Sequence, residues 1–277
     1  QRGRLLMNAK ASIKLDGASG DLDFGRFVDR QRVSAAAGTL NIGLTDGFEL
    51  LGNLSAKAPD ATVAGGTVNI ALSQARLIDR SQSFDYPKDG VAGSDGTIPY
   101  NKRTIHLTGT QTQASTFAST NLKFGEGVVS AEALTTSGFD RISLRADHSV
   151  ALQAGANLAR SGNAPLQSVV LNAPVIDLAD QGVHLVQANH VGMGVFSPAE
   201  IQRAATPQAT TGSQVAAQGS LGGECVLGLQ AGLIEVSGDV AVKGANETTL
   251  DARLGRNGGT TRNNGEIRLI GAREEGT

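Results

Sequence analysis

The sequence predicts an all-β chain wound as a parallel β-helix, and three observations carry that expectation. Apolar residues alternate with polar ones over stretches of four to six residues, each bounded by Gly, Asn, Asp or Ser. Glycine is abundant, 36 of 277 residues, while the chain has 8 Phe, 2 Tyr and no Trp. One seven-residue unit returns 28 residues further on, as expected of stacked coils.

The strands follow from the alternation. In order, the first half carries Ile13/Leu15, Leu22/Phe24, Leu40/Ile42/Leu44, Phe48/Leu50, Val68/Ile70/Leu72, Ile105/Leu107, Leu122/Phe124, Ile142/Leu144 and Val150/Leu152. The second half carries Val169/Leu171, Ile176/Leu178, Val183/Leu185, Cys225/Leu227/Leu229, Ile234/Val236, Val240/Val242 and Ile267/Leu269. No comparable stretch shows a sustained 3.6-residue apolar stripe. The repeat is Gly38-Thr39-Leu40-Asn41-Ile42-Gly43-Leu44 followed by Gly66-Thr67-Val68-Asn69-Ile70-Ala71-Leu72. Stacking places Leu40, Ile42 and Leu44 inward, with Thr39, Asn41 and Gly43 facing out. Glycine supplies corners, and small aliphatic side chains suit a narrow interior.

The whole chain, 1–277, is read as a single β-helix segment interrupted three times. Residues 75–103 form an insertion loop holding both tyrosines. Residues 193–220 form a second, in which Ser197-Pro198-Ala199-Glu200 is a capping box that predicts a short helix over Ser197 to Ala205. Residues 244–265 are expected to be a polar, glycine-rich loop. Insertions on a solenoid fall on one face, where binding function tends to sit. The ends, Gln1-Arg2-Gly3-Arg4 and Ala272-Arg273-Glu274-Glu275-Gly276-Thr277, read as cut from a longer polypeptide.

Composition narrows the function classes. A formal net charge of −2 and pI of about 6.1 give no footprint for nucleic acid. One cysteine excludes an intrachain disulfide framework, and no apolar run approaches the length of a bilayer span.

Candidate chemistry is sparse, and no cofactor or metal motif emerges. His106 and His184 take alternate, outward strand positions, expected of solvated side chains; His184 and His190 lie six residues apart with no third ligand at zinc-like spacing. His148 is the fourth histidine of the chain. Cys225, in register with Leu227 and Leu229, reads as a small buried hydrophobe. Polysaccharide cleavage needs paired carboxylates. The candidates are Asp21/Asp23 flanking an inward Leu22, Asp46/Glu49, Asp85/Asp89/Asp95 and Asp177/Asp180. Asp89-Gly90 and Asp95-Gly96 read as turns, since tandem calcium-binding repeats are missing. Arg26, Arg30 and Arg32 are the candidate glycan- or anion-binding cluster. Arg253, Arg256, Arg262, Arg268 and Arg273 recur near the C-terminus, and Arg141 and Arg145 share one strand face.

The repeated Gly-Thr-Leu-Asn-Ile-Gly-Leu and Gly-Gly-Thr-Val-Asn-Ile-Ala-Leu units resemble the filamentous-haemagglutinin-like large exoproteins of Gram-negative bacteria. So do Leu-Ser-Ala-Lys-Ala-Pro (Leu54 to Pro59) and Ala-Leu-Gln-Ala-Gly-Ala-Asn-Leu (Ala151 to Leu158). The resemblance implies a right-handed parallel β-helix, export by two-partner secretion through an outer-membrane transporter, and a secreted or surface-displayed adhesive role. The Asn-Pro-Asn-Leu type motif of the amino-terminal secretion domain is missing, so an interior or C-terminal segment of the parent is expected. The expectation is a structural or adhesive segment without catalysis. The alternatives are a β-helical polysaccharide-cleaving enzyme and a non-catalytic glycan-binding module.

Overall fold

The computed structural model of the chain describes residues 4–23, 30–73, 103–160, 165–180, 182–195, 225–238, 240–252 and 266–270. In chain order come β1 (Arg4–Met7), β2 (Ser12–Lys14), β3 (Ser19–Leu22), β4 (Gln31–Ser34), β5 (Thr39–Leu44), β6 (Gly47–Leu50), β7 (Asn53–Ser55), β8 (Gly66–Leu72) and β9 (Thr104–Thr108). Next are α1 (Gln111–Asn121), β10 (Glu126–Ser130), α2 (Ala131–Thr136), β11 (Phe139–Ala146), β12 (Ser149–Leu152), β13 (Leu166–Asn172) and β14 (Val175–Leu178). The remainder are β15 (Gly182–Gly194), β16 (Cys225–Gln230), β17 (Leu233–Ser237), β18 (Ala241–Lys243), β19 (Glu247–Asp251) and β20 (Glu266–Ile270).

The described chain is thus mostly β, and its two large sheets are parallel. One sheet runs β1-β6-β10-β9-β12-β14-β18. The other runs β5-β8-β11-β13-β15-β17-β20, with β16 and β19 branching from the N-terminal half of β15. Parallel neighbours cannot be joined by tight hairpins, so from β11 to β15 the chain alternates between the two sheets, while β9 and β10, neighbours in one sheet, are joined through α1. The 28-residue repeat falls into register here. Asn41 pairs with Asn69, and the Nδ2 of Asn69 donates to Oδ1 of Asn41 at 2.8 Å. Leu40, Val68, Ile142, Val169, Val191 and Ile234 then lie side by side across six strands. Ile42, Ile70, Leu144, Leu171, Met193 and Val236 form the next row inward. The first sheet faces this core with Phe48, Ile105, Val150 and Ile176, and with Leu50, Val129, Leu107 and Leu152. Each such side chain, taken from water, contributes roughly 1.5–3 kcal/mol before entropy is set against it. Inward Leu40, Ile42 and Leu44 and outward Thr39, Asn41 and Gly43 lie as the alternation predicts.

Four local expectations are corrected. The first concerns helices. The alternation offers Leu122/Phe124 as a strand and no helix in this region, yet Gln111–Asn121 form α1, Leu122 is its C-cap, and Ala131–Thr136 form α2. Thr110 caps α1, its side chain accepting from Gln113 N–H while Gln113 Oε1 accepts Thr110 N–H at 2.9 Å. Only Ala114, Phe117 and Ala118 face inward, packing with Val128, Leu51 and Leu122. That stripe is too small to dominate a Ser/Thr-rich sequence. Thr110→Ala removes the side-chain half of this capping box, and a thermal melt should register a loss of about 1 kcal/mol. The short helix expected over Ser197 to Ala205 lies outside the described residues.

The second correction is Leu22. It does not point inward: β3 pairs antiparallel with β4, and Leu22 and Val33 are 49% and 46% exposed. The hairpin instead presents Ser34 to the body, where its hydroxyl donates to Asp60. Thr62 adds its own hydroxyl and N–H to that carboxylate. These bonds, Ser34 foremost, hold the Asp60 carboxyl down to about 2. The third is the expected polar loop at 244–265. Its described part contains β19, parallel to β16 with Leu250 opposite Leu229 and packed against the core. The fourth is the insertion at 193–220. Met193 and Gly194 still belong to β15, with Val195 following, and residues 196–220 lie outside the described set. Of the insertion at 75–103 only Arg103 is described; it is buried, with its guanidinium 5.1 Å from the Phe124 ring centroid.

Candidate functional site

The polar side chains that the fold brings together stand on the second sheet. At the position beside the inward Val169 and Val191, parallel pairing sets Ser168 of β13 directly against His190 of β15. One row along, Gly192 of β15 pairs with Glu235 of β17, and Glu235 pairs with Arg268 of β20. Because Gly192 has no side chain, His190 can reach diagonally to Glu235. Ser168 Oγ lies 2.8 Å from His190 Nδ1, and His190 Nε2 lies 3.0 Å from Glu235 Oε2. The other carboxylate oxygen, Oε1, accepts Arg268 NH1 at 3.2 Å, and Arg268 also donates to Glu266 at 2.6 and 3.0 Å. Ser168, His190 and Glu235 are all buried.

The neutral imidazole satisfies the line from end to end. Neutral His190 carries its proton on Nε2 and donates it to Glu235, and Nδ1 accepts the Ser168 hydroxyl. Burial pushes the His190 imidazole below its ordinary range; Glu235 pulls it upward, and Arg268 adds to the lowering. A base with a depressed folded value binds its proton later than the unfolded chain does. The site therefore contributes fully above the ordinary histidine value of about 6.5 and is lost as pH falls below it toward the lower folded value. Urea unfolding should show a midpoint that drops between pH 7.5 and pH 5.0, and a smaller drop in His190→Gln. Equal drops in the two proteins would remove His190 from this role.

A serine, a histidine and a carboxylate in line invite comparison with a nucleophilic triad. The backbone argues otherwise. Ser168 sits mid-strand, with β13 laddered to β11 on one side and β15 on the other. Its strand is hydrogen-bonded on both sides, so the strand's own amides are committed to the sheet and not to a developing oxyanion. What the line does is hold a proton and an ion pair at a buried position.

The residues singled out from the sequence lie elsewhere, His190 and Arg268 excepted. Of the proposed basic cluster, Arg26 lies outside the described residues, Arg30 is exposed, and Arg32 stands opposite Asp21 and donates to Ser19 Oγ at 3.0 Å. His184 is not outward: it is 0% exposed, its Nε2 3.1 Å from the Asp180 carbonyl, while Val183 is exposed. The inward parity of β15 reverses between Ala188 and Val191, where the strand passes from one partner, β16, to the next, β17. His106 does face outward, but α1 covers it. Its ring centroid lies 4.5 Å from that of Phe117, Nδ1 lies 3.3 Å from Gln153 Nε2, and Nε2 lies 3.7 Å from Glu126. His148 is half-buried. Cys225 is buried in the core row, as its register predicts, and its Sγ donates to the Asp180 carbonyl at 3.6 Å.

Three of the candidate carboxylates have partners. Glu49 is paired with Arg4 at 2.5 Å, Asp46 accepts Thr45 Oγ1 at 3.0 Å, and Asp180 accepts Ala154 N–H at 3.0 Å. Asp177 is half-buried, and Asp85, Asp89 and Asp95 lie outside the described residues, as do Arg253, Arg256, Arg262 and Arg273. Arg141 stands beside Ser168 and Arg145 beside Asn172. Among the described residues, no group of three His, Cys, Asp or Glu is placed to hold a metal ion, and no helix is long and apolar enough to cross a membrane. Compared with known proteins, the chain matches no family model, no curated protein and no solved structure.

Proposed function

We propose that this chain is a β-helical segment of a secreted or surface-displayed bacterial exoprotein, acting as a stiff scaffold that presents loops for adhesion. The observation that carries the reading is the register. Strands from distant parts of the sequence stack in parallel with like facing like: Leu40 on Val68 on Ile142, Ile42 on Ile70 on Leu144, Asn41 on Asn69. Such stacking supports a rod whose coils repeat one inward pattern, and it accounts for the glycine surplus without large rings. The mechanism is presentational. Rungs bonded along their whole length resist bending, and segments leaving the rungs meet the partner. The likeness of the repeated units to filamentous-haemagglutinin-like exoproteins supplies the cellular setting.

The test is adherence with turnover as its control. Beads coated with the purified chain should bind epithelial cells several-fold above beads coated with serum albumin. The same preparation should release no reducing or unsaturated ends from a panel of acidic and neutral polysaccharides. Adherence equal to albumin overturns the adhesive role, and polysaccharide cleavage replaces it with the enzymatic one.

A further inference from the structure

Among the described strands, β20 pairs with β17 alone, and its core-row side chains Ile267 and Leu269 remain 45% and 77% exposed. This rung buries little apolar surface. Besides the backbone ladder, among the described residues it is Arg268 that ties this strand to the body, by gripping Glu235. That carboxylate is shared, because its second oxygen already takes the Nε2–H of His190.

The charged and titratable groups around His190 can be named strand by strand. β13 supplies the Ser168 hydroxyl, with Arg141 of β11 one rung beyond it. β17 supplies Glu235. β20 supplies Arg268, whose other partner is Glu266 on the same strand. One carboxylate thus serves a buried imidazole and a half-exposed guanidinium.

We propose that the line Ser168–His190–Glu235–Arg268 is an acid-released clasp: when His190 takes a proton, Glu235 becomes its counter-ion, Arg268 is let go, and β20 parts from β17. The proton comes from solvent and binds Nδ1, and the Ser168 hydroxyl turns from donor to acceptor, so every polar atom there stays bonded. Which cation keeps Glu235 is decided by access to water. Protonated His190 is enclosed, and among the described residues Glu235 is the carboxylate bonded to it. Arg268 is half-exposed, already bonded to Glu266, and reaches solvent by rotating its side chain. Parting uncovers the β17 edge, a row of free backbone donors and acceptors flanked by Ile234 and Val236, which is a template for pairing with another strand.

Hydrogen exchange read by mass spectrometry on the full chain tests this directly. Protection of residues 266–270, corrected for the intrinsic pH dependence of exchange, should fall about tenfold or more between pH 7.5 and pH 5.0. Protection of β13 should hold over the same range, which separates local release from global unfolding. In His190→Gln the amide still donates to Glu235 without titrating, and protection of 266–270 should no longer depend on pH. Arg268→Gln should show low protection at both pH values, and it serves the same end if His190→Gln fails to fold. Wild-type protection of 266–270 that is unchanged at pH 5.0, or an equal fall in His190→Gln, overturns the clasp. So does an undiminished fall in Arg268→Gln.

Discussion

Replacing Phe48 with alanine should lower the stability of the chain by about 3–5 kcal/mol, the range for an aromatic ring lost from a closed core. Phe48 is fully buried in β6, between β1 and β10. The residue directly opposite on β10 is Gly127, and a Cβ built there would collide with the Phe48 ring. The ring fills the space that position 127 leaves empty, so one large and one absent side chain share a single layer. Gly127→Ala alone should therefore destabilise by about 1–3 kcal/mol through overpacking. Combined with Phe48→Leu, it should cost less than the two single changes together, with a coupling of about 0.5–3 kcal/mol. Urea unfolding of the four proteins measures this. Strict additivity would show that the ring and position 127 do not compete for the same volume.

Asp140→Ala should be nearly as damaging. Asp140 is the extra residue of a bulge in β11, where Phe139 pairs with Gly66 but Arg141 pairs with Thr67. A bulge turns its side chain out of the regular alternation, and here it turns a carboxylate toward three donors. Arg160 NH1 approaches Oδ1 at 2.6 Å, while Oδ2 accepts Gly65 N–H at 2.5 Å and Gln167 Nε2 at 3.3 Å. Arg160 also donates to the carbonyls of Thr135 and Phe139. Removing the carboxylate strands a guanidinium and a backbone donor together. The expected loss is about 2–4 kcal/mol, below the range for a fully enclosed pair because both side chains keep some contact with water. Asp140→Ala with Arg160→Met should recover part of it, since no charge is then left uncompensated. A double variant no more stable than Asp140→Ala would mean that the bulge needs the carboxylate for its backbone bonds alone.

How far the sequence could be read differs from place to place for physical reasons. The β5 and β8 stack is legible because both sides of the alternation repeat intact, down to the paired asparagines. The N-terminal half of β15 misleads because a strand that changes partners also changes parity, and nothing in Val183-His184-Leu185 announces the switch at Ala188 to His190. Helix α1 hides behind small and hydroxyl side chains; its visible mark is the Thr110-x-x-Gln113 box, not an apolar stripe. The Ser168–His190–Glu235 line leaves still less trace. Its members stand 22 and 45 residues apart, unequal spacings set by whatever lies between the rungs. They meet only once the register of three strands is known.

The order β6-β10-β9 in the first sheet has a consequence for how the molecule is made. Elsewhere along that sheet each later strand is laid beyond the earlier ones, so a chain emerging from its N-terminus could add strands to the sheet in order. β9 breaks the sequence: the slot beside β6 belongs to β10, which is synthesised only after β9 and α1. Until β10 arrives, β9 has neither of its two partners, because the other, β12, is later still. Assembly must therefore pause at residue 104 and resume when β9, α1 and β10 can seat together. That places a compulsory non-local step in the middle of an otherwise sequential process.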